Sequence, residues 1–361
     1  MADFHGSNFV AGALRTSTRT YSVISPVDST ELPGAFSIAS LDDVDLVMNA
    51  ARKAFEIFAL SDHELRASFL ETIADEILNA GEDLIERASA ETALPVARLT
   101  AERARTVGQL RLFATMARDA TWVDARIDTG QPEREPIPRP DIRRMKQPIG
   151  PVVVFGSSNF PLAFSVAGGD TASAFCTGNP VVVKAHRAHP GTSELIASAI
   201  RRAVTACDLP PGVFSMIHGE GRSIGQALVK HTETQAVGFT GSYAAGRALC
   251  DAAAARTRPI PVFAEMSSLN PLFLLPDALS THCSDIAKGL VASVTLGVGQ
   301  FCTKPGLVFA TEGPTLDAFL ASVSKALAEI TPSSMLTRGI LQSYESSRDT
   351  IAGDTSTMVV G

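Results

Sequence analysis

The sequence predicts an α/β fold organised on a doubly wound parallel sheet, with a helical layer before it and a second α/β unit after it. Three observations carry the prediction. Between residues 151 and 264, five short apolar runs alternate with helix-length amphipathic stretches, the pattern of parallel strands covered on both faces. Residues 40–119 repeat apolar side chains at helical spacing instead. After Glu265 a strand–helix–strand alternation begins again.

Composition bounds the rest. A chain of 361 residues that is 45% hydrophobic buries at least one large core and has room for two or three domains. The net charge is −7 with no polybasic block, which argues against nucleic acid or an anionic membrane as partner. The start, Met1-Ala2-Asp3-Phe4-His5, lacks the basic-then-apolar order of a signal peptide. No apolar run reaches the roughly 20 residues of a membrane span. The five cysteines, Cys176, Cys207, Cys250, Cys283 and Cys302, include no C-x-x-C pair, so a zinc knuckle or dithiol site is not expected, and the thiols read as those of a cytoplasmic protein.

In chain order, residues 17–38 read as strand and turn. Ser40 caps a helix, with Asp43 as the acid of its capping box. Further helices are expected at about 62–80, 82–91 and 97–119; no chemistry is visible in this layer. Two half-polar strands then flank the proline-rich stretch Pro132 to Pro140, making a hairpin arm over 120–147. Such an arm pairs with another subunit's sheet edge or lies as a flap on its own. Pro151–Phe155, Pro180–Lys184, Val213–Ile217, Ala236–Thr240 and Ile260–Ala264 are the five strands. Helices are expected between them, opening at Pro161 and spanning Thr192–Cys207, Arg222–His231 and Tyr243–Ala255. The second unit holds strands at Pro271–Leu275 and Pro305–Phe309, with helices at Ser284–Leu296 and Thr315–Ile330. The polar tail from Gln342 ends in Met358-Val359-Val360, which reads as a strand cut short.

Ligands of such sheets bind beyond the carboxyl ends of the strands. Asn159, Lys184, His218, Ser242 and Glu265 all fall there. Glu265 ends an apolar run, where a carboxylate is expected to have a raised pKa suited to a general base. Cys302 sits in a small, polar loop after a helix, where a thiolate can act as nucleophile. The plain alternatives are a strand-end acid and a small buried thiol. His186 and His189 are three residues apart, but no third ligand is apparent, so no metal is expected. Gly219-Glu220-Gly221-Arg222-Ser223-Ile224-Gly225 is one residue too long for a dinucleotide-binding glycine motif. Its helix start, and that at Gly241-Ser242, still favour an anion.

Five motifs converge on one family. Phe155-Gly156-Ser157-Ser158-Asn159-Phe160-Pro161, Val183-Lys184-Ala185-His186, Gly238-Phe239-Thr240-Gly241-Ser242, Ala264-Glu265-Met266-Ser267 and Gly299-Gln300-Phe301-Cys302-Thr303 resemble the aldehyde dehydrogenase superfamily, in order and spacing. The stretch Lys184 to Glu194 is similar to the branch holding α-ketoglutarate semialdehyde dehydrogenases and an NADP-dependent fatty aldehyde dehydrogenase. The resemblance implies a Rossmann-type cofactor domain over 1–119 and 148–264, an oligomerisation arm over 120–147, and a catalytic domain over 265–361.

The same resemblance implies roles. Cys302 attacks the aldehyde, Asn159 and the Cys302 backbone N–H hold the oxyanion, and hydride passes to the nicotinamide. Glu265 then activates water to hydrolyse the thioester. Lys184, Arg187, Arg222, Gly225, Gly241, Ser242 and Ser157 would hold the dinucleotide. Arg187 stands where NAD-specific members carry a glutamate, which favours NADP, with NAD as the second choice; the alternative is that Arg187 and Arg222 are solvated surface groups. The substrate read this way is α-ketoglutarate semialdehyde. Long-chain aldehyde oxidation, transfer of the acyl group to coenzyme A, and a non-catalytic nucleotide-binding fragment are the competing readings. The family's later Glu-x-Phe-Gly-Pro segment does not occur before Gly361. The catalytic domain is therefore expected to be partial, with exposed apolar surface and poor stability, and the full-length protein to be a dimer or tetramer.

Overall fold

A computed structural model of the chain describes residues 4–354. Its centre is a seven-stranded sheet in the order Val262–Glu265, Ala236–Thr240, Val152–Phe155, Val181–Lys184, Phe214–Ile217, Asn8–Val10, Ala13–Arg15. The first five are parallel to one another. Numbered along the chain they stand 5-4-1-2-3, the doubly wound arrangement in which strand order reverses beside the first strand.

Side chains alternate across a strand, and the core divides accordingly. Val152, Val154, Val181 and Val183 face one cluster, shared with the helices His63–Asn79, Gly81–Thr92, Val96–Arg118, Gly169–Cys176 and Pro190–Ala206. Val153, Phe155 and Val182 face the other, under the helices Leu41–Phe58 and Tyr243–Ala254. Continuous valine runs are what such double coverage demands. Phe175 packs at 5.0 Å from Phe69 and 6.3 Å from Phe58, tying the helical layer to the sheet.

The first of these helices is capped as expected: Asp43 N donates to Ser40 Oγ at 3.2 Å, and Ser40 N donates to Asp43 Oδ2 at 2.9 Å. Ser40→Ala is expected to lower the unfolding free energy by about 1 kcal/mol, read from a urea midpoint.

Several expectations need correction. No helix opens at Pro161; residues 161–168 form turns and the helix begins at Gly169. The N–H groups of Leu162 and Ala163 donate to Glu102 Oε1 at 2.8 and 3.0 Å, so a carboxylate of the helical layer takes the place of helical partners. The fifth strand, Val262–Glu265, is not buried on both faces but lies at the sheet edge, with Phe263 66% exposed. The supposed polar tail contains a helix, Arg338–Ala352, capped by the Thr337 side chain on Ile340 N. The Asn8–Arg15 strands lie outside the residues read as strand. Their three-residue runs are too short to show alternation, and Phe9 pairs antiparallel with Met216. Met358-Val359-Val360 lies outside the described residues.

The arm is present as a hairpin, Arg126–Asp128 against Ile142–Arg144, with both strands exposed. Beyond Glu265, Leu272–Leu274 and Val308–Ala310 form a separate two-stranded parallel sheet. The helices Pro276–Thr295 and Pro314–Ala328 pack on it around Leu274, Leu279, Ala287 and Phe319. Phe273 and Phe309 of this sheet stack at 5.0 Å and are both exposed. Among the described residues no helix is long and apolar enough to cross a membrane.

Candidate active site

The strand order reverses between Val152–Phe155 and Ala236–Thr240, which is where a doubly wound sheet leaves a crevice at its carboxyl edge. A cleft of about 1140 Å³ opens there, lined among others by Ser157, Asn159, Ser242, Glu265 and Cys302. These residues come from the turns after strands one and four, from the end of strand five and from a loop of the second unit.

The turn after the first strand folds tightly: a Cβ on Gly156 would lie 2.8 Å from Ser165 Cα, so only glycine lets the chain double back. Ser157 N donates to Phe164 O at 2.8 Å, and His189 Nε2 donates to Ser157 O at 2.9 Å. That bond leaves His189 Nδ1 facing the Ser193 hydroxyl at 3.3 Å. The ring is buried, and burial pushes its pKa down, so it stays neutral and serves as a strut for the loop.

Cys302 is half-buried and lies past the end of the helix Pro276–Thr295. Between them Gly297, Val298 and Gly299 all take left-handed backbone conformations, at φ 58°, 59° and 73°. They swing the chain from the helix into the cleft. A side chain on Gly297 would also meet the Phe301 ring at 2.6 Å. The loop is then pinned from outside: Asn270 Nδ2 donates to Cys302 O at 2.7 Å and to Lys304 O at 3.1 Å. None of these contacts uses the thiol. Among the described residues the Cys302 backbone N–H has no acceptor.

Asn159 reaches across to that loop, its Nδ2 donating to Gln300 O at 2.7 Å. An amide nitrogen carries two N–H groups, so the second remains for an oxygen bound in the cleft. Glu265 ends the edge strand with its side chain exposed to the cleft. The apolar surroundings that the sequence suggested for this carboxylate are absent, because the uncovered edge strand leaves it open to solvent.

The seven cofactor candidates divide. Ser157, Gly241 and Ser242 line the cleft, whereas Lys184, Arg187, Arg222 and Gly225 do not. Ser242 caps the helix Tyr243–Ala254, its hydroxyl accepting from Ala245 N at 3.4 Å. Lys184 ends the second strand, buried, and burial together with nearby Arg187 pushes its ammonium down to about 8. Arg187 is exposed and lies over Tyr21, 4.9 Å from the ring centre. No carboxylate pairs with either cation among the described residues. Arg222 and Gly225 sit in a π-turn, Gly221–Gly225, after the third strand. His186, a lining residue, stacks on His189 at 5.3 Å, and burial holds its pKa well below the ordinary value. No group of three His, Cys, Asp or Glu side chains placed to hold a metal ion occurs among the described residues.

Three residues with clear placing roles escaped sequence reasoning: Asn270, His189 as a loop strut, and Arg98, whose Nη2 donates to Asn159 O at 2.6 Å. Asn270 carried one faint signal, since it falls in a polar link ahead of a strand. Arg98 carried none.

The profile of the aldehyde dehydrogenase family matches residues 14–340. An alpha-ketoglutaric semialdehyde dehydrogenase 2 of Azospirillum brasilense is 57% identical over 317 residues, 88% of this chain and 60% of that protein. An alpha-ketoglutaric semialdehyde dehydrogenase of Acinetobacter baylyi is 44% identical over 355 residues, 98% of this chain and 67% of that protein. The chain thus spans about three-fifths to two-thirds of these relatives. Among solved structures, an NADP-dependent glyceraldehyde-3-phosphate dehydrogenase of Bacillus halodurans complexed with NADP superposes with a TM-score of 0.85 at 20% identity. That match covers 99% of this chain and 73% of the other, and it establishes the fold.

Proposed function

The chain belongs to the aldehyde dehydrogenase family, and from that premise we propose that it oxidises an aldehyde to a carboxylic acid with a nicotinamide dinucleotide as acceptor. One observation carries the reading: Cys302, Asn159 and Glu265, from three separate chain segments, line one cleft at the switch point of the sheet. The substrate we assign is α-ketoglutarate semialdehyde, by likeness to the two relatives named for that activity.

Cys302 attacks the carbonyl carbon as thiolate, and the oxygen becomes an oxyanion within reach of the free N–H of Asn159 and the unpaired backbone N–H of Cys302. Donors placed before charge develops stabilise the transition state without reorganising. As the oxyanion collapses, the former carbonyl carbon loses its hydrogen as hydride, which a bound nicotinamide dinucleotide would accept, and the carbon is left as a thioester on Cys302. Glu265 then takes a proton from water, which attacks the thioester carbon and releases the acid with the Cys302 thiolate as leaving group.

The dinucleotide fits the chain. Ser157, Gly241 and Ser242 lie at the crevice, and a buried ammonium with no anionic partner, Lys184, stands beside the guanidinium of Arg187. Unpaired buried charge is costly, and a ribose phosphate would relieve it. On that ground we favour NADP over NAD, with Arg187 and Arg222 at the phosphate. Arg187→Ala is expected to reduce the NADP over NAD preference by roughly 10- to 100-fold, the worth of one charge-assisted hydrogen bond. Lys184 is charged below a pKa of about 8 and neutral above it, so NADP affinity should weaken as pH rises from 8 to 9.5. Arg187 helps to depress that pKa, so the onset should move upward in Arg187→Ala. Titration of NADP at several pH values checks both; a flat profile in the parent protein would remove Lys184 from the site.

In this reading residues 1–119 and 148–264 form the cofactor domain and 265–361 belong to the catalytic domain. The exposed hairpin 126–144 pairs with a partner's sheet edge in a dimer or tetramer. Five free cysteines suit a cytoplasmic protein. The direct test is NADPH formation with α-ketoglutarate semialdehyde. A folded, NADP-binding chain that reduces no NADP with any aldehyde would leave the nucleotide-binding fragment as the better reading.

A further inference from the structure

Arg98 lies on the helix Val96–Arg118, in the layer where the sequence shows no chemistry, yet it touches both halves of the cleft. Its Nη2 donates to the backbone oxygen of Asn159 at 2.6 Å and stands 3.5 Å from Glu102 Oε2. Its Cζ lies 4.8 Å from the ring centres of both Phe160 and Phe301. Those rings meet edge to face at 5.1 Å. Phe160 follows Asn159, and Phe301 precedes Cys302. The Asn159 side chain closes the circuit by donating to Gln300 O at 2.7 Å.

A guanidinium is suited to this place. It is flat, always charged and weakly hydrated, so it stacks on aromatic faces while its N–H groups serve acceptors in its own plane. Glu102 is fixed independently by the N–H groups of Leu162 and Ala163. The carboxylate therefore anchors the guanidinium to the same turn that Asn159 begins. Arg98 Nη1 and Glu102 Oε2 are both buried without a hydrogen-bond partner, so the group is held by one hydrogen bond, one ion pair and two rings rather than by full hydrogen bonding.

We propose that Arg98 is a positioning residue that sets the gap between the Asn159 amide and the Cys302 thiol by clamping the two loops through Phe160 and Phe301. The clamp rests on the roles given above to Cys302 and Asn159. It touches no substrate atom, so its loss changes the rate of attack on the carbonyl and not the affinity for aldehyde or dinucleotide. Arg105, two turns along the same helix, supplies an internal control. It lies 5.8 Å from the Phe160 ring and 4.9 Å from that of Phe164, and it touches neither Asn159 O nor Phe301.

The test compares Arg98→Met, Arg98→Lys and Arg105→Met with the parent protein. One readout is kcat and KM for the aldehyde. The other is the rate at which iodoacetamide alkylates Cys302, followed by peptide mapping as a function of pH. Displacement by an ångström near reacting atoms costs on the order of 100-fold in rate. Arg98→Met is expected to lose roughly that factor in kcat with KM within about threefold, and to show an altered Cys302 alkylation profile. Arg98→Lys, which keeps the charge but not the double stack, should fall between. Arg105→Met should match the parent in both readouts.

Unchanged kcat and alkylation in Arg98→Met, a loss confined to KM, or an equal effect from Arg105→Met would each overturn the clamp. Should Arg98→Met fail to fold, Arg98→Lys carries the same comparison. The alkylation profile needs no turnover. An inactive parent would count against the proposed reaction, while the profile still decides whether Arg98 governs the Cys302 loop.

Discussion

Cys302→Ala is expected to abolish aldehyde-dependent NADP reduction, with kcat down by at least about 10⁴-fold, the scale of losing a covalent nucleophile. The structure separates this from a folding defect. The loop around Cys302 is fixed through its carbonyl by Asn270 and through Gln300, whose Oε1 accepts from Leu336 N at 3.0 Å. No hydrogen bond reaches Sγ among the described residues. The thermal midpoint and NADP affinity should therefore stay near those of the parent. Glu265→Gln should behave differently. In the proposed mechanism its carboxylate enters only at hydrolysis, so the variant should release one equivalent of NADPH per site and then stall. Measuring pre-steady-state NADPH absorbance separates the two: no burst for Cys302→Ala, a burst without turnover for Glu265→Gln. Activity above about 1% in Cys302→Ala would mean that another group attacks. Cys176 is a poor substitute, because burial pushes its thiol up to about 11. A steady rate without a burst in Glu265→Gln would take the base role from that residue.

How much of this was legible follows from which interactions are local in sequence. The valine runs announced parallel strands because coverage on two faces leaves no room for polar alternation, and the Ser40–Asp43 box is complete within four residues. The convergence of Cys302 and Glu265 on one cleft was legible through short motifs. Their surroundings were not. Glu265 follows Phe263 and Ala264, which reads as an apolar pocket, but an edge strand covered on one side turns that end toward solvent. The segment after Pro161 has helix-forming residues, yet the N–H groups of Leu162 and Ala163 are taken by Glu102, 60 and 61 positions earlier, and no local pattern reports that. Arg98 and Glu102 at i,i+4 look like an exposed helical ion pair. Only the fold shows that Asn159 and Phe301 stand against them.

The largest stability effect is expected at a residue that takes no part in the chemistry. Glu91 is 1% exposed and accepts from Gly191 N at 2.8 Å, Thr192 N at 2.9 Å and Thr192 Oγ1 at 2.7 Å, while Arg87 Nη2 lies 2.9 Å from its Oε1. One carboxylate thus caps the helix Pro190–Ala206 from a helix a hundred residues earlier and neutralises a buried guanidinium. Removing one partner of a buried pair leaves the other charge uncompensated, a cost of about 3–5 kcal/mol. Here the first N–H groups of a helix lose their acceptor as well. Glu91→Ala should therefore lower the thermal midpoint by at least about 6 °C for a chain of this size. Glu91→Gln keeps the shape but turns an amide NH₂ toward donors, and should be only partly better. Adding Arg87→Met to Glu91→Ala should recover part of the loss, since it removes the stranded charge. The affected helix begins just after Arg187 and His189, so dinucleotide affinity should weaken in Glu91→Ala below its unfolding temperature. Single variants within 1 kcal/mol of the parent, or a double variant whose loss is simply the sum, would show that Glu91 and Arg87 do not act as a coupled buried pair.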